Sequence, residues 1–345
     1  LCTREDVANA IDVQATSRDY PQIDRLIEAA SRGVEQFLHR QFAPTLDTRY
    51  FDWPNNQMGT SWRLWLDANE LISVTSILSG TASLTSGQYF LEPANYGPPY
   101  NSVEVNLGGS GAFSSGSTYQ RAIAITGLYG YTDDAISVGT TVGTFNSTDD
   151  LVTIADGVLA GVGSVLRVDD ERMLLVDRIM ADTARTTAAD NTASEADNVI
   201  TLAHDTSHTI YTGEVLLIDG EQMYVTDVAG DTVVVKRAWS GSPLAAHSSG
   251  ATVYASRQFK VQRGALGTTA AEHLDGSVWS AWQVPGPVRQ LCIAEVLNSF
   301  QQEQSAYARI VGSGEGQRGA SGAGLDDLRG QVYSSHGRKA RQRAV

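Results

Sequence analysis

Near the start of the chain, apolar residues recur every three or four positions. Ile23, Leu26, Ile27, Ala30, Val34, Phe37 and Leu38 form one stripe, with Asp24, Arg25, Glu28, Arg32 and Glu35 on the other face. This pattern predicts an amphipathic helix. Thr3 and Asp6 have capping-box spacing ahead of it, and Pro21 suits a first turn. Ala43-Pro44 is read as the end of the helix. Beyond it the period changes. Short alternating or aromatic runs at 49–53, 62–66, 72–78, 88–91, 103–107 and 121–126 are separated by Gly, Ser, Asn and Pro clusters, as strands joined by hairpin loops would be. A second helix opens at Pro285-Gly286-Pro287. Val288, Leu291, Cys292, Val296 and Phe300 share its stripe, with Ile293 and Leu297 beside it. That surface is wider than one partner needs, so burial within the chain and packing against a neighbouring subunit both stay open.

The middle of the chain holds a duplication. Val165-Leu166-Arg167-Val168-Asp169-Asp170-Glu171-Arg172-Met173 matches Val215-Leu216-Leu217-Ile218-Asp219-Gly220-Glu221-Gln222-Met223. Further on, Val235-Lys236-Arg237 through His247 and Gly250 to Val253-Tyr254 parallels Val261-Gln262-Arg263 through His273 and Gly276 to Val278-Trp279. Two first halves followed by two second halves are what one copy inserted into a loop of the other would produce. Such insertions succeed at exposed loop tips where chain ends lie close together. The inner copy spans residues 198–254, the outer copy is split into 142–179 and 259–282, and 181–197 reads as a polar connector. Each copy is expected to be a β unit of about four to six strands, sandwich or barrel. Glu171, Glu221, His247 and His273 recur once per copy. One His and one carboxylate fall short of a zinc ligand set, so hydrogen bonds from each Glu to its copy's Arg or backbone are expected instead.

Composition narrows the function classes. With a formal net charge of −14 the chain is poorly suited to wrapping nucleic acid, although an acidic wall would let a duplex pass without sticking. No apolar run is long enough to cross a bilayer as a helix, and the opening residues carry no signal-peptide pattern. Cys2 and Cys292 make neither a disulfide framework nor a metal cluster and are read as reduced thiols, Cys292 as a small core residue. Gly314, Gly316 and Gly319 spell GxGxxG, but after a helix and inside a Gly-rich linker, so no cofactor is expected. Past the linker, Leu325, Leu328 and Val332 have helical spacing, and Arg329, Arg338, Lys339, Arg341 and Arg343 make the end basic.

With the insert removed, residues 1–138 rejoin 283–345. The carriers of a resemblance are Thr3-Arg4-Glu5-Asp6-Val7, Phe37-Leu38-His39-Arg40-Gln41-Phe42-Ala43-Pro44, Thr126-Gly127-Leu128-Tyr129-Gly130-Tyr131 and Pro285-Gly286-Pro287-Val288-Arg289-Gln290-Leu291. In order and spacing they resemble the head-to-tail connector, or adaptor, family of long-tailed bacteriophages. The resemblance implies an α+β fold: a helical adaptor core with projecting β hairpins, to which the two small all-β modules are added, one nested inside the other. It divides the chain into an adaptor core (1–138), an outer β module (139–180 and 258–282), an inner β module with its connector (181–257), a C-terminal core helix (283–311), a flexible linker (312–324) and a basic docking tail (325–345). It also implies a virion protein of the neck, assembled in the host cytoplasm: a dodecameric ring that binds the portal, meets stopper or tail proteins and lets double-stranded DNA pass. Portal docking then falls to Leu325, Leu328, Val332, Tyr333, Arg338, Lys339, Arg341 and Arg343, and ring packing to Val288, Leu291, Ile293, Leu297, Phe300 and Tyr307.

Three rival readings have different signatures. Of the common enzyme signatures, a GxSxG elbow, an HExxH pair, a Walker loop and a CxxC pair, none occurs, and the acidic pairs Asp133-Asp134 and Asp149-Asp150 sit in turn-like segments. No enzymatic activity is therefore expected, although a glycosidase built on dispersed carboxylates would leave no such signature. A carbohydrate- or host-surface-binding module would use Trp239, Tyr254 and Trp279, although the repeat alignment gives Tyr254 and Trp279 equivalent places that suit a shared core position. A stopper or tail-completion protein is the third alternative, against which the two-helix frame and basic tail favour the adaptor.

Overall fold

The Thr3 hydroxyl accepts the Asp6 N–H at 3.1 Å while the Thr3 N–H donates to the Asp6 carboxylate at 2.9 Å, and this reciprocal cap starts helix α1, Arg4–Ala10. Helix α2, Tyr20–Leu38, buries Ile23, Leu26, Ile27, Val34 and Leu38. It stops at His39, which takes a left-handed conformation (φ 54), ahead of the proline expected to end it. Helix α3, Gly286–Gln304, lays Val288, Leu291, Cys292, Val296 and Phe300 against α2, and helix α4, Ala323–His336, closes the cluster with Val332. The computed structural model describes residues 1–11, 16, 18–54, 61–304, 310, 311, 318, 319 and 323–339. Among them no helix is long and apolar enough to cross a membrane.

Residues 45–129 are not hairpins projecting from this cluster. Strands β1 (Thr45–Phe51), β2 (Arg63–Trp65), β3 (Leu71–Ser79), β4 (Ala82–Leu84), β5 (Tyr89–Glu92), β6 (Ser102–Val105) and β7 (Ile123–Tyr129) form two antiparallel sheets, ordered β1-β7-β3-β4 and β2-β6-β5. They enclose a core of their own that includes Leu64, Leu71, Ile77, Val103, Ile125 and Tyr129.

The remaining strands are β8 (Ala135–Val142), β9 (Leu151–Ile154), β10 (Val165–Val168), β11 (Glu171–Thr186), β12 (Val199–Thr201), β13 (Val215–Ile218), β14 (Glu221–Ala229), β15 (Thr232–Lys236), β16 (Thr252–Gln262) and β17 (Val278–Trp282). Their ladders close twice. The first ring runs β8-β9-β16-β11-β10-β17 and returns to β8. The second runs from the far half of β11 through the near half of β16 to β13, β14, β15 and β12, and closes on β11 through the Thr187–Leu202 bridge. Each ring is a six-stranded antiparallel barrel with its own apolar core. The long strands β11 and β16 belong to both.

The expected helical core with projecting hairpins is therefore overturned. The chain is 37% strand and 21% helix, with a ten-stranded sheet as its largest element and only four helices among the described residues. The supposed connector is a second correction, because 181–186 continue β11 and supply the inner barrel's first strand. Their inward side chains, Thr183 and Arg185, are polar, so the stretch lacks the apolar alternation that marks a half-buried strand.

Candidate functional site

The duplication extends to individual hydrogen bonds. In the outer barrel Glu171 accepts both Nε and Nη2 of Arg263 at 2.8 Å, the N–H groups of Gly264 and Ala271 at 2.9 Å, and lies 2.9 Å from His273 Nε2. In the inner barrel Glu221 receives Arg237 twice at 2.8 Å, the N–H groups of Ala238 and Ala245 at 2.9 Å, and lies 3.0 Å from His247 Nε2. Asp169 and Asp219 face the other ring nitrogen of each histidine. Burial pushes both glutamates up, but the guanidinium, the two N–H groups and the histidine outweigh it and hold each carboxyl at about 2. Both carboxylate oxygens are fully engaged, which leaves no lone pair for a ligand or a proton transfer. These clusters are structural clamps, with the Glu-to-Arg and Glu-to-backbone contacts expected from the repeat. Among the described residues no three His, Cys, Asp or Glu side chains are grouped to hold a metal ion.

The aromatic candidates are dispersed. Trp279 is buried in the outer core and donates its indole N–H to the Thr141 hydroxyl at 2.7 Å. Strand pairing aligns Val168 with Trp279 and Leu217 with Tyr254, so the inner equivalent of Trp279 is Val253. The sequence alignment was thus one residue out at this point, and Tyr254 points outward. Trp239 stacks on Tyr224 at 4.7 Å.

The residues assigned to ring packing and docking mostly face inward. Val288, Leu291 and Phe300 are buried in the helix cluster, Ile293 and Leu297 pack partly buried against it, and Tyr307 lies outside the described residues. Val332 is buried in the same cluster, Leu325 and Leu328 pack on it, and Tyr333 sits 5.5 Å from the ring of Phe37. Arg329 grips Glu295 of α3 through two hydrogen bonds at 2.6 and 2.9 Å. Residues 325–336 thus make up most of a packed helix, where a tethered docking tail was expected. The backbone N–H of Arg338 donates to Leu38 at 2.9 Å, Lys339 is exposed, and Arg341 and Arg343 lie outside the described residues. With Arg40, Arg338 and Lys339 line a cavity of about 500 Å³ that also contains Asp67 and Glu70.

The four stretches that carry the family resemblance meet around this cluster. Tyr131 donates its N–H to Phe42 at 3.3 Å and its ring lies 5.3 Å from that of Phe42. Arg289 forms a two-pronged ion pair with Asp6, and Cys292 lies 3.2 Å from Cys2. The thiol pair escaped sequence reading because no local spacing links positions so far apart. Where the chain leaves for the barrels and returns, Trp282 pairs with Ala135 and the Gln283 N–H donates to Asp134 at 2.7 Å. Comparison with family models, curated proteins and solved structures finds no match for this chain.

Proposed function

We propose that the chain is a structural subunit of a tailed-phage neck, an adaptor that packs as a ring between portal and tail. The observation that carries this reading is the convergence just described: motifs scattered from Thr3 to Leu291 form one cluster, while the whole barrel insert leaves and returns through adjacent strands. Charge supports it. Residues 139–282 contain 19 acidic and nine basic residues. Arg167, Arg172, Arg185, Arg237, Arg257 and Arg263 among the basic ones are held in ion pairs with carboxylates. The barrels therefore present a negative surface that would repel a passing DNA backbone. On this reading the partners are copies of the same chain in a dodecameric ring, the portal, and stopper or tail proteins, and the location is the virion neck. Docking falls to Arg338, Lys339 and the basic residues after them, since the apolar residues of α4 are occupied.

Electron microscopy with mass determination, on the protein alone and mixed with its phage's portal, tests the proposal. A ring capping the portal is expected. A monomer that ignores the portal overturns it.

A further inference from the structure

We propose that Cys2 and Cys292 are an oxidation site that forms a reversible disulfide joining the segment ahead of α1 to α3. Their Sγ atoms lie 3.2 Å apart, and both side chains are buried in the helix cluster. Cys2 also lines a cavity of about 610 Å³ together with Glu5, Ser31 and Arg289, which is the approach a small oxidant would take to the pair. Ser31 Oγ stands 3.5 Å from Cys292 Sγ. The hydrogen bond from Cys2 lowers the Cys292 thiol to about 7 against the opposing effect of burial, so a fraction of it is thiolate at neutral pH.

The chemistry needs a peroxide as oxidant. Sγ of the Cys292 thiolate attacks one peroxide oxygen, the O–O bond breaks, and the displaced hydroxide takes up the proton that Cys292 had released, leaving as water and giving a sulfenic acid on Cys292. Sγ of Cys2, 3.2 Å away, then displaces hydroxide from that sulfur, and the hydroxide takes the Cys2 proton as a second water. Two thiols lose two electrons and one peroxide is reduced. The bond would close a loop around both barrels and tie together the two halves of the helix cluster, restricting the unfolded chain far more than the folded one. This inference does not depend on the neck proposal.

Treating the full chain with hydrogen peroxide and measuring intact mass under denaturing conditions tests it. A loss of about 2 Da, reversed by dithiothreitol, is expected, with peptide mapping placing the link between Cys2 and Cys292. The thermal midpoint should rise by roughly 5 °C over the reduced protein. In C2S, which lacks the resolving thiol, dimedone should trap a Cys292 sulfenic acid that the unsubstituted chain does not accumulate. Unchanged mass, oxygen adducts without a link, a disulfide-linked dimer, or equal dimedone labelling of both proteins would each overturn the proposal.

Discussion

The two barrels share one framework and differ in what they leave at the surface. Both have the Glu–Arg–His clamp, and both carry a bulge at the same place, between Leu175 and Asp177 where β11 pairs with β16 in the outer barrel and between Val225 and Asp227 where β14 pairs with β15 in the inner. Left-handed residues recur at Asp169 and Asp219, at Gly163 and Gly213, and at Leu266 and Ser240. Outside this framework the copies part. Val142, Leu274 and Val278 are exposed apolar residues of the outer barrel, and Ala188, Ser248 and Thr252 stand at the matching inner positions. The equivalent loop tips touch different elements: Leu266 O accepts the N–H of Leu46 in β1, whereas Ser240 hydrogen-bonds Tyr20 of α2 at 2.8 Å. What recurs is what closes the barrel. What differs is available for contacts specific to each copy.

The comparison is tested most severely by cutting the clamps. Truncating one partner of a buried ion pair leaves the other charge unpaired and costs about 3–5 kcal/mol. Glu221→Ala should fall at the top of that range and Glu171→Ala lower, because the Arg237 side chain is fully buried and that of Arg263 is 10% exposed. Urea denaturation of the two variants measures the order. If Glu171→Ala proves the costlier, burial is not what grades the clamps.

Acid should loosen both barrels together. A carboxyl held at about 2 in the folded chain and near 4.5 when free stabilises the fold fully above pH 4.5 and loses that contribution as pH falls toward 2. Each clamp is worth on the order of 3 kcal/mol across this window. Hydrogen exchange followed from pH 5 down to pH 2 should show protection falling in β10–β11 and β13–β14 alike. Loss confined to one barrel would mean that the shared geometry does not give shared energetics.

How much of this was legible in the sequence depended on which side chains face inward. The stripes of α2 and α3 were readable because apolar residues at helical spacing have few alternatives, and the duplication was readable because the clamp residues hold their spacing. The far half of β11 was not, since Thr183 spends its hydroxyl on Val253 O at 2.6 Å and Arg185 binds the backbone of Ala203, Asp205 and His208. An inward polar face looks like a loop. The helical share of the fold was overestimated because helices announce themselves in long periodic runs, whereas the strands of 45–129 are short. The fate of α4 was hidden too: a few apolar positions beside a basic end do not reveal that Val332 completes a core from which linker-like residues separate it in sequence.

Excision gives a gentler test of independence. Ala229 and Thr232 pair across the inner hairpin's two-residue turn, and Ile179 and Gln258 are the matching outer pair, between which the inner barrel is inserted. Replacing residues 180–257 with Gly-Asp should leave the outer barrel folded. The expected cost is about 2 kcal/mol, from the three hydrogen bonds of Arg178 to Ser256 and that of Tyr20 to Ser240. Circular dichroism and urea midpoints check this, and a chain without a cooperative transition would show that the barrels fold only as a pair.

The smallest effect comes from one backbone position that the copies treat differently. Ala238 and Gly264 occupy the same place, both left-handed with φ of 52 and 57, and both donate their N–H to the clamp glutamate. A side chain in that conformation costs roughly 1–2 kcal/mol, while glycine costs roughly 0.5–1 kcal/mol in backbone entropy. Ala238→Gly should therefore stabilise the inner barrel by about 0.5 kcal/mol. Gly264→Ala should destabilise the outer barrel by about 1 kcal/mol, since it gains the same strain and its Cβ would stand 3.2 Å from Thr268 O. Thermal midpoints that move in opposite directions would show that the inner copy tolerates strain that the outer copy avoids; midpoints that move together would mean the two turns are not energetically equivalent despite matching dihedral angles.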